Sequence, residues 1–171
     1  MARKGWIAFM IAGTFLLGGC VASSEERIVT GVEKAREAFQ EEPVATNETV
    51  GNRDLYVPRN YTVEEPSDTH NMIITRGSDS FVLFLNPNEE PDSTLYYDLQ
   101  KANDEQHWAI DETFRQNGRF GFSTVREIAE DRYEIVVSAG GVKMTTISEA
   151  NDIDSNMAWM MQTVRSVDPD N

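Results

Sequence analysis

The chain has 171 residues, with 15 Lys+Arg against 29 Asp+Glu, 2 His and 1 Cys, which is the size of one domain. Its apolar fraction of 40% excludes both a disordered polyanion and a multi-span membrane protein. One Cys excludes an internal disulfide framework and a cysteine-rich zinc module, and a net charge of −14 excludes the clustered Lys and Arg of a nucleic-acid partner.

The first twenty residues read MARKGWIAFMIAGTFLLGGC. Arg3 and Lys4 form a positive n-region, and the apolar stretch from Trp6 to Leu17 is too short to span a bilayer core of about 30 Å. Leu17-Gly18-Gly19-Cys20 follows, and then polar Ser23-Ser24-Glu25-Glu26. This segment resembles the lipobox signal peptide of bacterial lipoproteins. The resemblance implies acylation of the Cys20 thiol with palmitate-type chains, cleavage after Gly19, and a cell-membrane protein facing outside the cytoplasm. Several chains on one Cys anchor well where a single chain holds only marginally. Loss of residues 1–19 removes Arg3 and Lys4 and no acid, taking the net charge from −14 to −16, so the body is repelled by an anionic lipid surface. Val21 follows the Cys where an Asp would mark inner-membrane retention in a two-membrane envelope.

Ile28, Val32, Ala35 and Phe39 recur at helical steps and predict an amphipathic helix over 25–40, ended by Glu41-Glu42-Pro43. The stripe is narrow and residues 43–53 lack periodicity, so 20–53 reads as a lipid-anchored helix and linker, more stalk than core, ahead of a single domain over 54–171. From Asp54 the pattern turns to strands. Pro58 interrupts Leu55-Tyr56-Val57 and Tyr61-Thr62-Val63 and suggests an edge. Met72-Ile73-Ile74 and the run 81–85 flank the turn Arg76-Gly77-Ser78-Asp79; the run is expected to be buried on both faces. Leu95, Tyr97 and Leu99 alternate as in a strand, with a helix somewhere in 95–115 the other reading. Trp108, Ile110 and Phe114 share a strand face. Asn117-Gly118 is the strongest hairpin signal, Glu130-Asp131 and Gly140-Gly141 are further turns, and Tyr133, Ile135 and Val137 share a face. A final helix over 155–167, capped by Asp154 or Ser155, carries Met157, Met160, Met161, Val164 and Val167 in one stripe. At 100° per residue Trp159 falls on the opposite, polar side with Gln162 and Ser166. There it is either partly exposed or covered by a second element, and it is the one residue-level candidate for a partner contact.

These elements predict an α+β fold: an antiparallel twisted sheet of about six to eight strands, covered by a C-terminal helix and preceded by an N-terminal amphipathic helix. The opening LYVPRNYTVEE, the meander and the closing Met-rich helix ending VRSV resemble the PsbP/Mog1-like domains of secreted bacterial proteins over roughly residues 54–167. The competing likeness is a carrier lipoprotein of the LolA/RseB group, whose half-barrel is larger than this length permits. Neither resemblance carries a catalytic motif to these positions.

The search for chemistry returns little. His70 and His107 stand apart without ligand-spaced neighbours. A Ser78/His70/Asp79 triad would need its nucleophile on a tight turn with no oxyanion scaffold. The pairs Glu64-Glu65, Glu89-Glu90 and Asp111-Glu112 point to opposite faces if they lie on strands, and cannot work on one bond. Residues 151–156 imitate a calcium loop but put Met157 at the Gly position and Thr163 at the Glu position. The Met157/Met160/Met161 cluster reads as core, and Asn47-Glu48-Thr49 and Asn60-Tyr61-Thr62 are chance glycosylation matches behind a bacterial lipobox. The expected function is therefore a non-enzymatic, membrane-anchored binding or accessory module with no cofactor or metal, tied to lipid through Cys20, with an envelope protein as a candidate partner. The alternative is a carboxylate-dependent extracytoplasmic hydrolase acting on a wall or extracellular substrate, which requires two carboxylates converging at about 5–9.5 Å in a cleft.

Overall fold

The computed structural model describes residues 22–64, 68, 70–102 and 107–168. In chain order the elements are helix α1 (Ser24–Gln40), strands β1 (Glu48–Val50), β2 (Arg53–Leu55), β3 (Thr62–Val63), β4 (Asn71–Arg76) and β5 (Asp79–Leu85), helix α2 (Leu95–Lys101), strands β6 (Ile110–Gln116), β7 (Arg119–Ala129), β8 (Arg132–Ala139) and β9 (Val142–Ser148), and helix α3 (Ile153–Ser166). A short 3-10 turn leads into α3. Strands β3 to β9 form one antiparallel sheet in the order β3-β4-β5-β9-β8-β7-β6, and β1 and β2 make a separate hairpin. The α+β architecture matches the sequence pattern, with seven strands in the main sheet.

The turns fall where the residue chemistry asked for them. Asn117 and Gly118 both take positive φ (50° and 73°), the left-handed pair of a type I′ hairpin, and they join β6 to β7 with Gln116 facing Arg119. Asp131 and Gly140 take positive φ at the β7–β8 and β8–β9 turns.

Period-two alternation divides the sheet into two faces. Phe81, Leu83 and Leu85 on β5, Met144 on β9, and Ile135 and Val137 on β8 point one way and are fully buried under α3. Met157, Met160, Met161 and Val164 of α3 meet them, as the stripe required. The run 81–85 is corrected: it is buried on one face only. Val82 is 46% exposed, because among the described residues no second helix layer lies over that part of the sheet.

The stalk expectation for residues 25–40 is also corrected. Ile28, Val32, Ala35, Ala38 and Phe39 of α1 belong to the same buried cluster as α3 and the sheet, so α1 is a layer of the domain. Ser23 and Glu26 form a reciprocal capping box at its start. Gly31 allows a close crossing with α3; a Cβ there would stand 2.7 Å from Met157 Sδ. Lys34 Nζ lies 2.5 Å from Asp154 Oδ2, and Arg27 Nη1 lies 3.4 Å from Oδ1. Burial works to raise the Asp154 pKa, but these two cations outweigh it and hold the carboxyl below its ordinary value. At the other end of α1, Phe39 packs tilted on Phe114 at 5.6 Å and fills the notch left by Gly121, where a Cβ would stand 2.6 Å from the ring.

The unpatterned stretch 43–53 holds the β1–β2 hairpin, turned at Gly51 (φ 61°). Asn47 clamps it: its amide donates to Val57 O and its Oδ1 accepts from Val57 N–H, both at 2.8 Å. The alternating Leu95, Tyr97 and Leu99 sit on a helix. Tyr96, Tyr97 and Gln100 turn toward the sheet at helical spacing, and Leu95 and Leu99 turn away. The start of α3 differs as well, with Asp152 at the cap position and no side-chain capping bond from it.

Candidate functional site

The sheet face opposite α1 and α3 is half covered. Helix α2 sits over its β7–β8 part, where Tyr96, Phe120, Phe122 and Val136 form a second small buried cluster with Phe84 and Tyr97 against it. Tyr96 donates its hydroxyl to Gly141 O; burial, with Glu89 nearby, pushes its pKa up to about 12. Lys101 and Tyr97 both donate to Asp111 Oδ2 and tie α2 to β6. Burial first, then the Asp111 charge, raises the Tyr97 pKa.

Beyond α2 the face is open. Ile73 on β4 pairs directly with Val82 on β5, and Val82 with Thr145 on β9. Ile147, two residues along from Thr145, lies on the same face. Ile73, Val82 and Ile147 are 43%, 46% and 45% exposed. Leu99 of α2, 63% exposed, borders the same surface. Two adjoining hollows of about 310 and 490 Å³ cross it and share Glu134 and Thr145, in the size range of ligand sites. Single exposed apolar residues are ordinary; here three half-exposed ones adjoin on one pleated face. The rim carries the ion pairs Arg126–Glu134 at 2.8 Å and Arg132–Glu149 at 3.9 Å.

On this surface Glu134 lies on the Arg126 guanidinium and Glu149 on that of Arg132. Asp111 and Glu112 point to opposite faces as their strand dictates, the first to Lys101 and the second to Arg36. Glu89 takes bonds from Ser93 and Asn86 in its loop. Glu65 of the Glu64-Glu65 pair lies outside the described residues. His70 O accepts from Leu85 N–H at one end of the β4–β5 hairpin, and Ser78 lies on the turn at the other end. Six residues of β4 separate them, about 20 Å, so the Ser78/His70/Asp79 triad does not assemble.

The 151–156 segment is likewise spent on structure. Asp152 pairs with Arg76 at 3.4 Å and Asp154 with α1, and among the described residues there is no metal-holding cluster of His, Cys, Asp and Glu.

Trp159 is corrected. It is 7% exposed, wedged at 4.4 Å from the Tyr61 ring and 4.6 Å from the Phe81 ring, with its indole N–H donating to Asn156 Oδ1 at 3.2 Å. Its cover is not α1 but the strap at Tyr61, itself held under the Arg76 guanidinium at 5.1 Å. Helix α3 is enclosed by the sheet, by α1 and by this strap, so its polar-looking side is also buried. Trp159 is a core residue, covered by a second element. Cys20 and the rest of residues 1–21 lie outside the described residues, and among the described residues no helix is long and apolar enough to cross a membrane.

The open face escaped the sequence reading. Its signal was the alternation of Ile73, Val82 and Ile147 against buried neighbours, which becomes legible only once the helices are known to lie on one side. No family model matches the chain, and no curated protein matches it. Among solved structures it is similar to the solution structure of cyanobacterial PsbP (CyanoP) from Synechocystis sp. PCC 6803, at a TM-score of 0.46 and 7% identity, covering 73% of this chain and 93% of that one.

Proposed function

We propose that this chain is a membrane-anchored bacterial lipoprotein, held outside the cytoplasm by acyl chains on Cys20, that acts without catalysis as a binding module for an envelope protein. The observation that carries the binding role is the open sheet face of Ile73, Val82 and Ile147 beside α2. It is the part of the sheet that the helices of the described residues leave bare. The ion pairs around it would supply register and selectivity, while the apolar centre would supply affinity.

Anchoring at Cys20 would also orient the domain. Only Val21 and Ala22 separate Cys20 from the Ser23 cap, a reach of about 10 Å. Because α1 is packed into the core, that short tether would hold its N-terminal end, with Asn151 and Asp154, against the lipid surface. Helix α1 has 17 residues and is about 25 Å long. Its far end, at Phe39 and the Gly140 turn, would therefore project from the membrane.

The test is a photo-crosslinking residue placed at Val82 or Ile147 in the anchored protein in cells. The proposal expects a discrete adduct from both positions and none from Glu37, on the exposed side of α1. Equal adducts from Glu37, or none from the sheet face, would overturn it. Cys20→Ala is expected to abolish labelling by an alkynyl palmitate analogue and leave an uncleaved precursor.

A further inference from the structure

The other hollow of note lies at the far end of the sheet and shares no residue with the open face. It has a volume of about 300 Å³ and is bounded by Pro43, Pro91, the Gly140–Gly141 turn and the last turn of α3, with Arg119 and Arg165 in its wall. The chain carries an excess of acid, and Arg27, Lys34, Arg36, Arg76, Lys101, Arg126 and Arg132 each lie on a carboxylate. Among the described residues, neither Arg119 nor Arg165 does.

Arg165 is rigidly placed. Its Nε donates to Phe39 O at 3.1 Å and its Nη2 to Glu41 O at 3.3 Å, while its guanidinium lies 5.6 Å above the Phe39 ring. Two of its five N–H groups are used in this way. Burial, and then the like charge of Arg119, hold its pKa below the ordinary value; Glu42 acts in the opposite sense more weakly. Asp168 stands on the same rim, where its carbonyl accepts from Arg53. Two guanidiniums that repel each other in a partly enclosed wall form an arrangement that an anion relieves. The turn beneath them is tightly built: a Cβ on Gly140 would stand 2.9 Å from Pro91 Cα, and one on Gly141 2.4 Å from Asn86 O. Val142, Val164 and the two prolines supply an apolar part of the wall, and Ser166 and Asp168 a polar part.

We propose that this hollow binds a small ligand bearing an oxyanion, phosphate or carboxylate, on a compact apolar body, with Arg119 and Arg165 taking the charged head. The volume is at the lower limit for small-molecule sites, which restricts the body to about one ring or a short branched chain.

The test is an NMR titration that follows the Gly140 and Gly141 amides and the Arg165 Nε–H. The probes are phenyl phosphate, benzoate, inorganic phosphate and phenol. Phenyl phosphate or benzoate is expected to shift all three signals saturably, the tighter of the two naming the head group. Inorganic phosphate should bind at least about tenfold more weakly, and phenol should leave the signals unmoved. Arg119→Gln should weaken binding by about tenfold or more, the loss of one charge-assisted contact, with an otherwise unchanged amide spectrum. Arg115→Gln, which removes a nearby cation stacked on Phe120, should leave the affinity unchanged. The proposal is overturned if neither aryl anion saturates, if inorganic phosphate binds as tightly as phenyl phosphate, or if Arg115→Gln weakens binding as much as Arg119→Gln.

Discussion

Phe39→Ala tests whether α1 is a structural layer or a detachable stalk. Phe39 is 1% exposed, stacks on Phe114, and seats its ring against the bare backbone of Gly121. Truncation removes a whole ring from a closed notch, and a buried Phe→Ala change costs about 3–5 kcal/mol. The notch can be tested from the other side. A Cβ on Gly121 would stand 2.6 Å from Phe39 Cε2 and 2.7 Å from Ser138 O, and the carbonyl belongs to the neighbouring strand and cannot retreat. Gly121→Ala should therefore cost about 1–3 kcal/mol by overpacking, outweighing the strand preference that Ala gains over Gly. The two changes share one contact, so the double variant should be less destabilised than their sum by about 0.5–3 kcal/mol. Urea unfolding of residues 22–171 gives all four free energies, with equal m-values certifying the same transition. A Phe39→Ala cost below about 1 kcal/mol, or strict additivity with Gly121→Ala, would refute the packing of α1 on β7.

Trp159→Ala should cost about 3–5 kcal/mol by the same measurement, because the indole fills the space between Tyr61 and Phe81 and satisfies Asn156; a nearly neutral change would return it to the surface. Asp154→Asn should cost about 1–2 kcal/mol at neutral pH, between exposed and fully buried ion pairs. Because the folded carboxyl titrates below its unfolded value near 3.9, that contribution is present above about pH 4 and is lost as the pH falls through the folded pKa. Wild-type and Asp154→Asn stabilities should therefore converge in acid, and parallel curves would contradict the Lys34 and Arg27 contacts. Tyr96 has a raised pKa, so the folded state holds its proton more tightly and stability should fall as pH rises from about 10 toward 12; Tyr96→Phe should flatten that limb in an alkaline unfolding series.

The sequence carries the sheet and its α3 cover well, and the role of α1 and the nature of α2 poorly. Asn117-Gly118, Gly77 and Gly140 are local conformational demands, and they placed the β6–β7, β4–β5 and β8–β9 turns. Helix α1 was located by its period, but its role depended on a partner 120 residues away, and the small residues that make the crossing, Gly31 and Ala35, leave little hydrophobic signal. The Ser23–Glu26 capping box was legible and would have fixed its start. Trp159 was misplaced because the helical-wheel argument assumes one covered side, whereas α3 is enclosed on three. Helix α2 was read as a strand because its outward Leu95 and Leu99 happened to alternate with Tyr97. The open face was invisible for the converse reason. Val82 and Ile73 look like core residues, and their exposure follows from which side of the sheet the helices occupy.

The central claim is that the bare face beside α2 is occupied in the envelope, and hydroxyl-radical footprinting of the anchored protein in intact cells, compared with purified residues 22–171, tests it most directly. The account predicts that Ile73, Val82, Ile147 and Leu99 lose labelling in cells, while Val44, exposed beyond the far end of α1, labels equally in the two preparations. Equal labelling of the sheet face in both, or equal protection of Val44 and the sheet face, would contradict it.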